Sequence, residues 1–204
     1  MRELSIEGAW VRETRVLQDD RGSYHEWFRA PDLAEATGYG LGRLAQATCS
    51  VSGRGTLRGI HFADVPPGQA TYVTCVRGAV LGVVVDVRVG SPTYRRWEAV
   101  RLDDGGRLAL HAAEGLGHAF MALTDDATVV HLCSRGPDPE RDHTVHALDP
   151  DLAIAWPAGI APVMSLEDSA APTLAEAERA GLLPSYEVCR DWYATLKGLS
   201  PARA

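Results

Sequence analysis

The chain has 204 residues, of which 46% are hydrophobic and 23% charged, and its formal net charge is -7 at pH 7. These values are typical of a globular protein, and we expect residues 1–204 to form a single domain. The negative charge argues against nucleic-acid binding, and no apolar run is long enough to cross a membrane. Because the four cysteines are scattered and the first residues lack the apolar core of a secretory leader, we expect a reduced, cytoplasmic protein.

Short alternating segments separated by glycine, proline and aspartate turns dominate the chain from Ser5 to about Leu132. Many short strands with few helices are typical of an antiparallel sandwich or barrel. The predicted strands are Ala9–Val11, His25–Phe28, Arg43–Val51, Thr56–Phe62, Ala70–Val76, Val80–Val89, Trp97–Arg101, Leu108–His111, Ala119–Leu123 and Thr128–Leu132.

Helices are predicted only at the edges of this β region. Pro31–Ala36 is one short candidate, and a capping box at Thr173–Glu176 predicts a helix that continues to about Leu182. An amphipathic segment from Tyr186 to Leu196 predicts a last helix. We therefore expect a mostly β fold, with its core at about 40–135 and an irregular, helical C-terminal segment at about 150–204.

The strand Thr56–Phe62 carries two polar residues, Arg58 and His61, on either side of Gly59. Residues three apart on a strand point to opposite faces unless a bulge intervenes, and a glycine between them makes such a bulge plausible. One interpretation is a histidine base in a pocket beside a cationic neighbour. The alternative is a core histidine bonded to a backbone carbonyl, together with a surface arginine.

A series of short motifs in a fixed order resembles the dTDP-4-dehydrorhamnose 3,5-epimerase family. The motifs are Asp20-Arg21-Gly22 with Glu26, Gln46, Leu57–Phe62, Gly68-Gln69, Val85–Arg88, Gly90–Tyr94 with Trp97, Gly117–Phe120, Asp149-Pro150, Trp156-Pro157, Ser165, Asp168 and Ala171-Pro172. The resemblance implies a cupin-type jelly-roll β-barrel with short peripheral helices and a C-terminal helical extension, usually assembled as an intertwined homodimer. It also implies an epimerase that acts on a dTDP-4-keto-6-deoxyhexose, at carbon 3, carbon 5 or both, in deoxysugar or natural-product biosynthesis.

The resemblance also implies roles for individual residues. The family's reaction removes a proton next to a ketone, forms an enolate, and returns a proton from the other face. His61 matches the base, and Asp168 matches the carboxylate that orients it. The matched substrate-binding residues are His118 at the pocket, Arg58 and Arg21 on the pyrophosphate, and Gln46 and Glu26 near the nucleotide. Neither a cofactor nor a metal is implied.

The chain departs from the family pattern at several of these positions. Thr71 stands where the family has a lysine that steadies the enolate oxygen, and His131 stands where it has the tyrosine acid. We assign His131 as the opposite acid and Thr71 as a weaker, uncharged hydrogen-bond donor. Two aromatic positions that stack on thymine align with Ser23 and about Gly136. These changes favour a single epimerisation over the double reaction.

Other functions stay open at this point. The scaffold could serve isomerisation or cyclisation of a molecule without a nucleotide, or it could be non-catalytic. A metal-dependent cupin is disfavoured because Phe62-Ala63 follows His61, so the usual His-x-His pair is missing. Cys133 and His131 would share a strand face, which allows a Cys–His nucleophile, although a buried, inert thiol is the commoner case. We expect the remaining histidines of the C-terminal two thirds at the surface or in loops, namely His111, His143 and His146.

Overall fold

The computed structural model describes residues 1–199, which form a mostly β protein. Its strands are β1 (Arg2–Glu3), β2 (Ala9–Arg12), β3 (Val16–Asp19), β4 (Gly22–His25), β5 (Gln46–Ser52), β6 (Leu57–Ala63), β7 (Thr71–Arg77), β8 (Ala79–Val85), β9 (Trp97–Asp103), β10 (Ala109–Ala112), β11 (Gly117–Ala122), β12 (Ala127–Cys133) and β13 (Asp142–Thr144). Its helices are α1 (Ala30–Thr37), α2 (Leu166–Ser169), α3 (Leu174–Arg179) and α4 (Tyr186–Leu199).

Two antiparallel sheets form the body of the protein. The six-stranded sheet has the order β1-β2-β10-β7-β12-β5, and the five-stranded sheet has the order β13-β6-β11-β8-β9. Alternate residues of both sheets are apolar and buried in one core, as the period of two along a strand requires. Val73 and Val129 come from the six-stranded sheet, and Val84 and Phe120 come from the five-stranded sheet. The predicted mostly β architecture is therefore confirmed.

The C-terminal segment covers the outer face of the five-stranded sheet. Residues of β6, β8 and β11 that point away from the main core pack there against α3 and the irregular chain before it. Helix α3 begins at the predicted capping box, in which Thr173 and Glu176 bond each other's backbone N–H groups. Helix α2, which precedes α3, contacts β6.

Helix α4 is anchored in the main core rather than left as a free extension. Cys189 is fully buried and Tyr193 nearly so. The Tyr193 hydroxyl donates a hydrogen bond to the backbone oxygen of Glu114 and accepts one from Arg88 at 3.3 Å. Tyr39 stacks on Tyr193, with ring centroids 6.1 Å apart.

The connection after β8 differs from the sequence prediction. The strand ends at Val85 instead of Val89, because Asp86 turns inward and pairs with Arg88, whose Nε lies 2.8 Å from an Asp86 oxygen. Both side chains are fully buried. Burial alone would raise the pKa of Asp86, but the hydrogen bonds from Arg88, Ser91 and Thr93 outweigh it and lower the pKa.

Several local predictions are wrong by position. Strand β4 occupies Gly22–His25 instead of His25–Phe28, and it pairs only with β3 in a separate two-stranded hairpin. His111, expected at the surface or in a loop, is fully buried in β10, where its Nδ1 donates to the Thr71 carbonyl oxygen at 2.9 Å. Its neutral ring is favoured because burial lowers its pKa to about 4. Among residues 1–199, no helix is long and apolar enough to span a membrane.

Candidate active site

A bulge in β6 turns Arg58 and His61 to the same cavity. Between the pairs His61–His118 and Arg58–Phe120, β6 advances three residues while β11 advances two, so β6 contains one extra residue. Gly59 fills that place with φ +105°, and a Cβ there would lie 2.5 Å from the His118 carbonyl oxygen. The sequence-based idea of a bulge at this glycine is therefore confirmed.

His61 is paired with a carboxylate from a distant part of the chain. Its Nε2 lies 2.8 Å from Oδ1 of Asp168, and the Asp168 side chain is only 7% exposed. Ser165 caps α2 by accepting a hydrogen bond from the Asp168 backbone, which fixes the position of this carboxylate. Burial acts to raise the pKa of Asp168, but hydrogen bonds, first of all the one from His61, lower it overall. With Nε2–H directed at Asp168, Nδ1 of His61 is the nitrogen left to accept a proton.

The six-stranded sheet forms the opposite wall of the cavity. On β12, His131 lies directly opposite Thr48 of β5, and Cys133 lies between Gln46 of β5 and Thr71 of β7. Residues paired in this way point to the same face of a sheet. These side chains therefore face His61 and Arg58 across the space between the two sheets, and all of them line the cavity.

The cavity has two connected lobes, each of about 250 Å³. The inner lobe lies between the sheets and contains Arg58, Thr71 and His131, whereas the outer lobe opens beside β13 and contains His143 and Glu167. Four residues line both lobes: Gln46, His61, Gln69 and His118. The motif Gly68-Gln69 does not by itself indicate a role for Gln69, and the only sequence signal for Glu167 is its position next to Asp168.

Two histidines that line the inner lobe, His118 and His131, have lowered pKa values, which favour their neutral form at pH 7. Burial, followed by the nearby His61 and His131, lowers the pKa of His118 to about 3. Burial, followed by His61 and Arg58, lowers the pKa of His131 to about 4. The centroid of the His118 ring lies 6.1 Å from the centroid of the His61 ring and 6.3 Å from that of the His131 ring. His118 is thus close both to His61 on its own sheet and to His131 on the opposite sheet.

Three predicted site residues line neither lobe: Asp168, which contacts His61 from behind, and Arg21 and Glu26, which lie elsewhere. Arg21 is on the hairpin of β3 and β4, where its side chain is 89% exposed and pairs with Asp19. Glu26 follows the hairpin and lines a separate depression with Arg12 and Arg29. The other predicted residues lie together in the cavity: His61, Arg58, Gln46, Thr71, His118 and His131, with Asp168 behind His61.

The geometry bears on two of the alternative chemistries. Within residues 1–199, no group of three or more His, Cys, Asp or Glu side chains is arranged to hold a metal ion. Cys133 lines the inner lobe with His131, but burial raises the pKa of its thiol, so the reactive thiolate is disfavoured. The arrangement instead suits proton abstraction by a His–Asp pair in a partly enclosed pocket.

Comparisons with known proteins identify the group to which this chain belongs. The model of the dTDP-4-dehydrorhamnose 3,5-epimerase family matches residues 3–176. A Streptomyces griseus protein named dTDP-4-dehydrorhamnose 3,5-epimerase is 61% identical over 189 residues, which are 93% of this chain and 94% of the relative. A Streptomyces sp. protein named dTDP-4-dehydro-6-deoxyglucose 3-epimerase is 54% identical over 191 residues, 94% of this chain and 97% of the relative.

Solved structures agree with this result. A 3'-monoepimerase from Streptomyces bikiniensis, in complex with dTDP-quinovose, has a TM-score of 0.94 at 53% identity and covers 97% of this chain and 99% of its own. An epimerase from Mycobacterium tuberculosis has a TM-score of 0.93 at 45% identity, over 96% of this chain and 98% of its own. The cupin-type jelly-roll fold expected from the resemblance is confirmed by these neighbours. The chain belongs to the dTDP-4-dehydrorhamnose 3,5-epimerase family.

Proposed function

We propose that this protein is an epimerase that removes and returns a proton next to the ketone of a dTDP-4-keto-6-deoxyhexose, in deoxysugar or natural-product biosynthesis. The observation that carries the proposal is the pair of His61 and Asp168, 2.8 Å apart, with its free Nδ1 at a cavity between the two sheets. Relatives with identities of 61% and 54% are named as epimerases of such sugars. The comparisons give no support to a repurposed scaffold without a nucleotide.

In the proposed reaction, Nδ1 of His61 takes the proton from the carbon next to the ketone. The electrons of the broken C–H bond move to the ketone oxygen and form an enolate. Asp168 holds the ring in the required tautomer and stabilises the imidazolium that results, as in other His–Asp pairs. The fixed hydrogen bond to a carboxylate that stays ionised supports this division of roles.

Arg58 and Gln46 are proposed to bind the diphosphate end of the substrate. Arg58 is exposed on the same wall as His61, and it is the only arginine or lysine among the residues that line the two lobes. A guanidinium can bond two phosphate oxygens at once, which would also fix the direction of the sugar relative to His61. Gln46 lines both lobes, so its side chain can contact a ligand that extends from one lobe into the other.

We propose that epimerisation occurs at one carbon rather than two. Each carbon that is epimerised must receive a proton from the side opposite His61, where Thr71 and His131 stand in place of a lysine and a tyrosine. Thr71 supplies no charge, and the low pKa of His131 leaves no imidazolium to donate a proton at neutral pH. Weaker stabilisation of the enolate would favour the more acidic of the two candidate carbons.

A homodimer would give Arg21 and Glu26 access to substrate. Their hairpin pairs with no other strand of the described residues, and it exposes Leu17 and Tyr24, whose exposed fractions are 51% and 63%. We propose that the hairpin reaches the cavity of a second copy and that Arg21 contacts the phosphates there.

We further propose that the enzyme works in the cytoplasm, which the four free cysteines support.

Nuclear magnetic resonance of dTDP-4-keto-6-deoxyglucose incubated with the protein in heavy water tests the proposed function. We expect deuterium at carbon 3 or carbon 5 and an inverted configuration at the labelled carbon. His146→Gln, which lies outside both lobes, should behave as the wild type. Absence of label and of a new epimer in a dTDP-binding preparation would contradict the proposal.

A further inference from the structure

The wall that faces His61 is built entirely from uncharged groups. Along β5, β12 and β7, the inward positions that line the inner lobe are Gln46, Thr48, Ser50, Thr71, His131 and Cys133. The inner lobe's arginine, Arg58, belongs to the same wall as the base. An enolate oxygen that forms near the opposite wall can therefore be stabilised only by neutral donors of this chain.

His131 occupies the middle of that wall. Thr48 of β5 lies directly opposite it, and Thr71 is a diagonal neighbour on β7, at a separation of roughly 7–8 Å. The ring centroid of Phe120, on the other wall, lies 6.2 Å from the ring centroid of His131. This neighbour limits the movement of the His131 ring. Its nitrogens make no hydrogen bond to protein groups of residues 1–199, so a ring N–H is free for a ligand.

The groups that face His131 keep it uncharged. They are Arg58 and His61 from β6 and His118 from β11, and Cys133 lies beside His131 on β12. No carboxylate lines this inner lobe. A proton on His131 would therefore be added beside a guanidinium and without a counter-ion, which is unfavourable in a partly desolvated pocket.

We propose that His131 is a neutral N–H donor to the ketone oxygen, assisted by the Thr71 hydroxyl, and not the acid that protonates the second face. The inference rests on the proposed function and deepens it. A neutral imidazole can polarise a carbonyl in this way when its surroundings prevent protonation. His131 is then a catalytic residue because it touches the reacting oxygen.

The proton balance closes without a charged His131. The C–H bond breaks, its proton goes to Nδ1 of His61, and the enolate oxygen accepts the hydrogen bond from His131. A water molecule in the open cavity gives a proton to the carbon from the opposite face. The resulting hydroxide takes the proton from His61, which restores the base. His131 keeps both its proton and its charge throughout.

Two substitutions distinguish a donor from an acid. His131→Phe removes the N–H group, whereas His131→Gln keeps a neutral N–H donor that cannot act as an acid. Each variant is assayed with dTDP-4-keto-6-deoxyglucose in heavy water, with deuterium uptake followed separately from formation of the epimer. His146→Gln is the control for the loss of a histidine outside the cavity, and circular dichroism checks that every variant is folded.

We expect His131→Phe to slow deuterium uptake and epimer formation by the same factor, about 10²–10³, as loss of one oxyanion donor does elsewhere. His131→Gln should retain both rates to within about tenfold, because a neutral donor remains. Deuterium uptake that survives in His131→Phe while the epimer is lost would overturn the inference, as would an equally severe loss in His131→Gln. Wild-type protein that takes up no deuterium would refute the proposed function itself, and the inference with it.

Discussion

The bulge at Gly59 makes the most demanding prediction, because one methyl group should disturb both stability and the base. In Gly59→Ala, the new Cβ would stand 2.5 Å from the His118 carbonyl oxygen and 2.9 Å from the Ala119 Cβ. Both neighbours belong to β11, which is held on its other side by β8, so neither can withdraw freely. The backbone at φ +105° is also a conformation that alanine rarely adopts.

The cost of this substitution follows from two contributions. A non-glycine residue in so sparsely populated a conformation costs on the order of 1–3 kcal/mol. Overpacking against a fixed strand adds about 1–3 kcal/mol. We therefore expect the free energy of unfolding to fall by about 2–6 kcal/mol, which moves the urea midpoint by about 1–3 M for a slope near 2 kcal/mol per M. Relaxation of the bulge would also displace His61, and a shift of about 1 Å can cost roughly 10² in rate.

Urea unfolding and deuterium uptake test both effects, with Gly53→Ala as the matched control. Gly53 lies in the turn before β6, its φ is not positive, and a Cβ there meets nothing within 4 Å. The control should stay within about 0.5 kcal/mol of the wild type. If Gly59→Ala were as stable and as active as Gly53→Ala, the bulge would not be what orients Arg58 and His61.

Three further predictions follow from other parts of the structure. Asp168→Asn should slow deuterium uptake by about 10²–10⁴ with the fold intact, because the His61 tautomer is no longer fixed. Arg58→Ala should weaken dTDP binding, measured by calorimetry, by about 10–100-fold, as loss of a charged hydrogen bond of about 1.5–3 kcal/mol implies. Burial raises the pKa of Glu114 to about 7 from 4.5, so its contribution to stability, present below pH 4.5, is lost as the pH rises to about 7. That loss is about 3 kcal/mol, and urea unfolding at about pH 5 and pH 8 should show it in the wild type relative to Glu114→Gln.

Each of these predictions has a distinct contrary outcome. Wild-type rates in Asp168→Asn would mean that the carboxylate does not orient the base. An unchanged dissociation constant in Arg58→Ala would remove Arg58 from the phosphate site. Parallel stability curves for the wild type and Glu114→Gln would show that the Glu114 carboxyl is already ionised below pH 7; the buried histidines act equally in both proteins and cancel in the comparison.

The sequence predicted the strands well because alternation and glycine turns are local signals. It also pointed to the bulge, since only the glycine between Arg58 and His61 allowed both to face one pocket. The shortest elements, among them β1, β13 and α2, were not predicted, because two to four residues are too few to show a hydrophobic period. The same holds for His111, whose place between β2 and β7 depends on strand order and not on its neighbours in sequence.

The base could be predicted from the sequence more readily than the groups that surround it. Asp168 lies 107 residues from His61, and only the family resemblance connected them before the structure did. The neutral character of His131 could not be read from its identity, because it results from burial beside Arg58 and His61 on another sheet. The end of strand β8 differs from the predicted Val89 for a related reason: Asp86 is buried with Arg88, two residues away, and this pairing is not signalled by the apolar alternation of the strand.

The measurement that tests the central claim most directly is the rate of deuterium uptake by dTDP-4-keto-6-deoxyglucose in heavy water, with wild-type protein and with His61→Gln. The account predicts uptake next to the ketone with the wild type and a loss of at least about 10² with His61→Gln, because the variant lacks the imidazole that Asp168 orients. Equal uptake by the two proteins would contradict the assignment of His61 as the base.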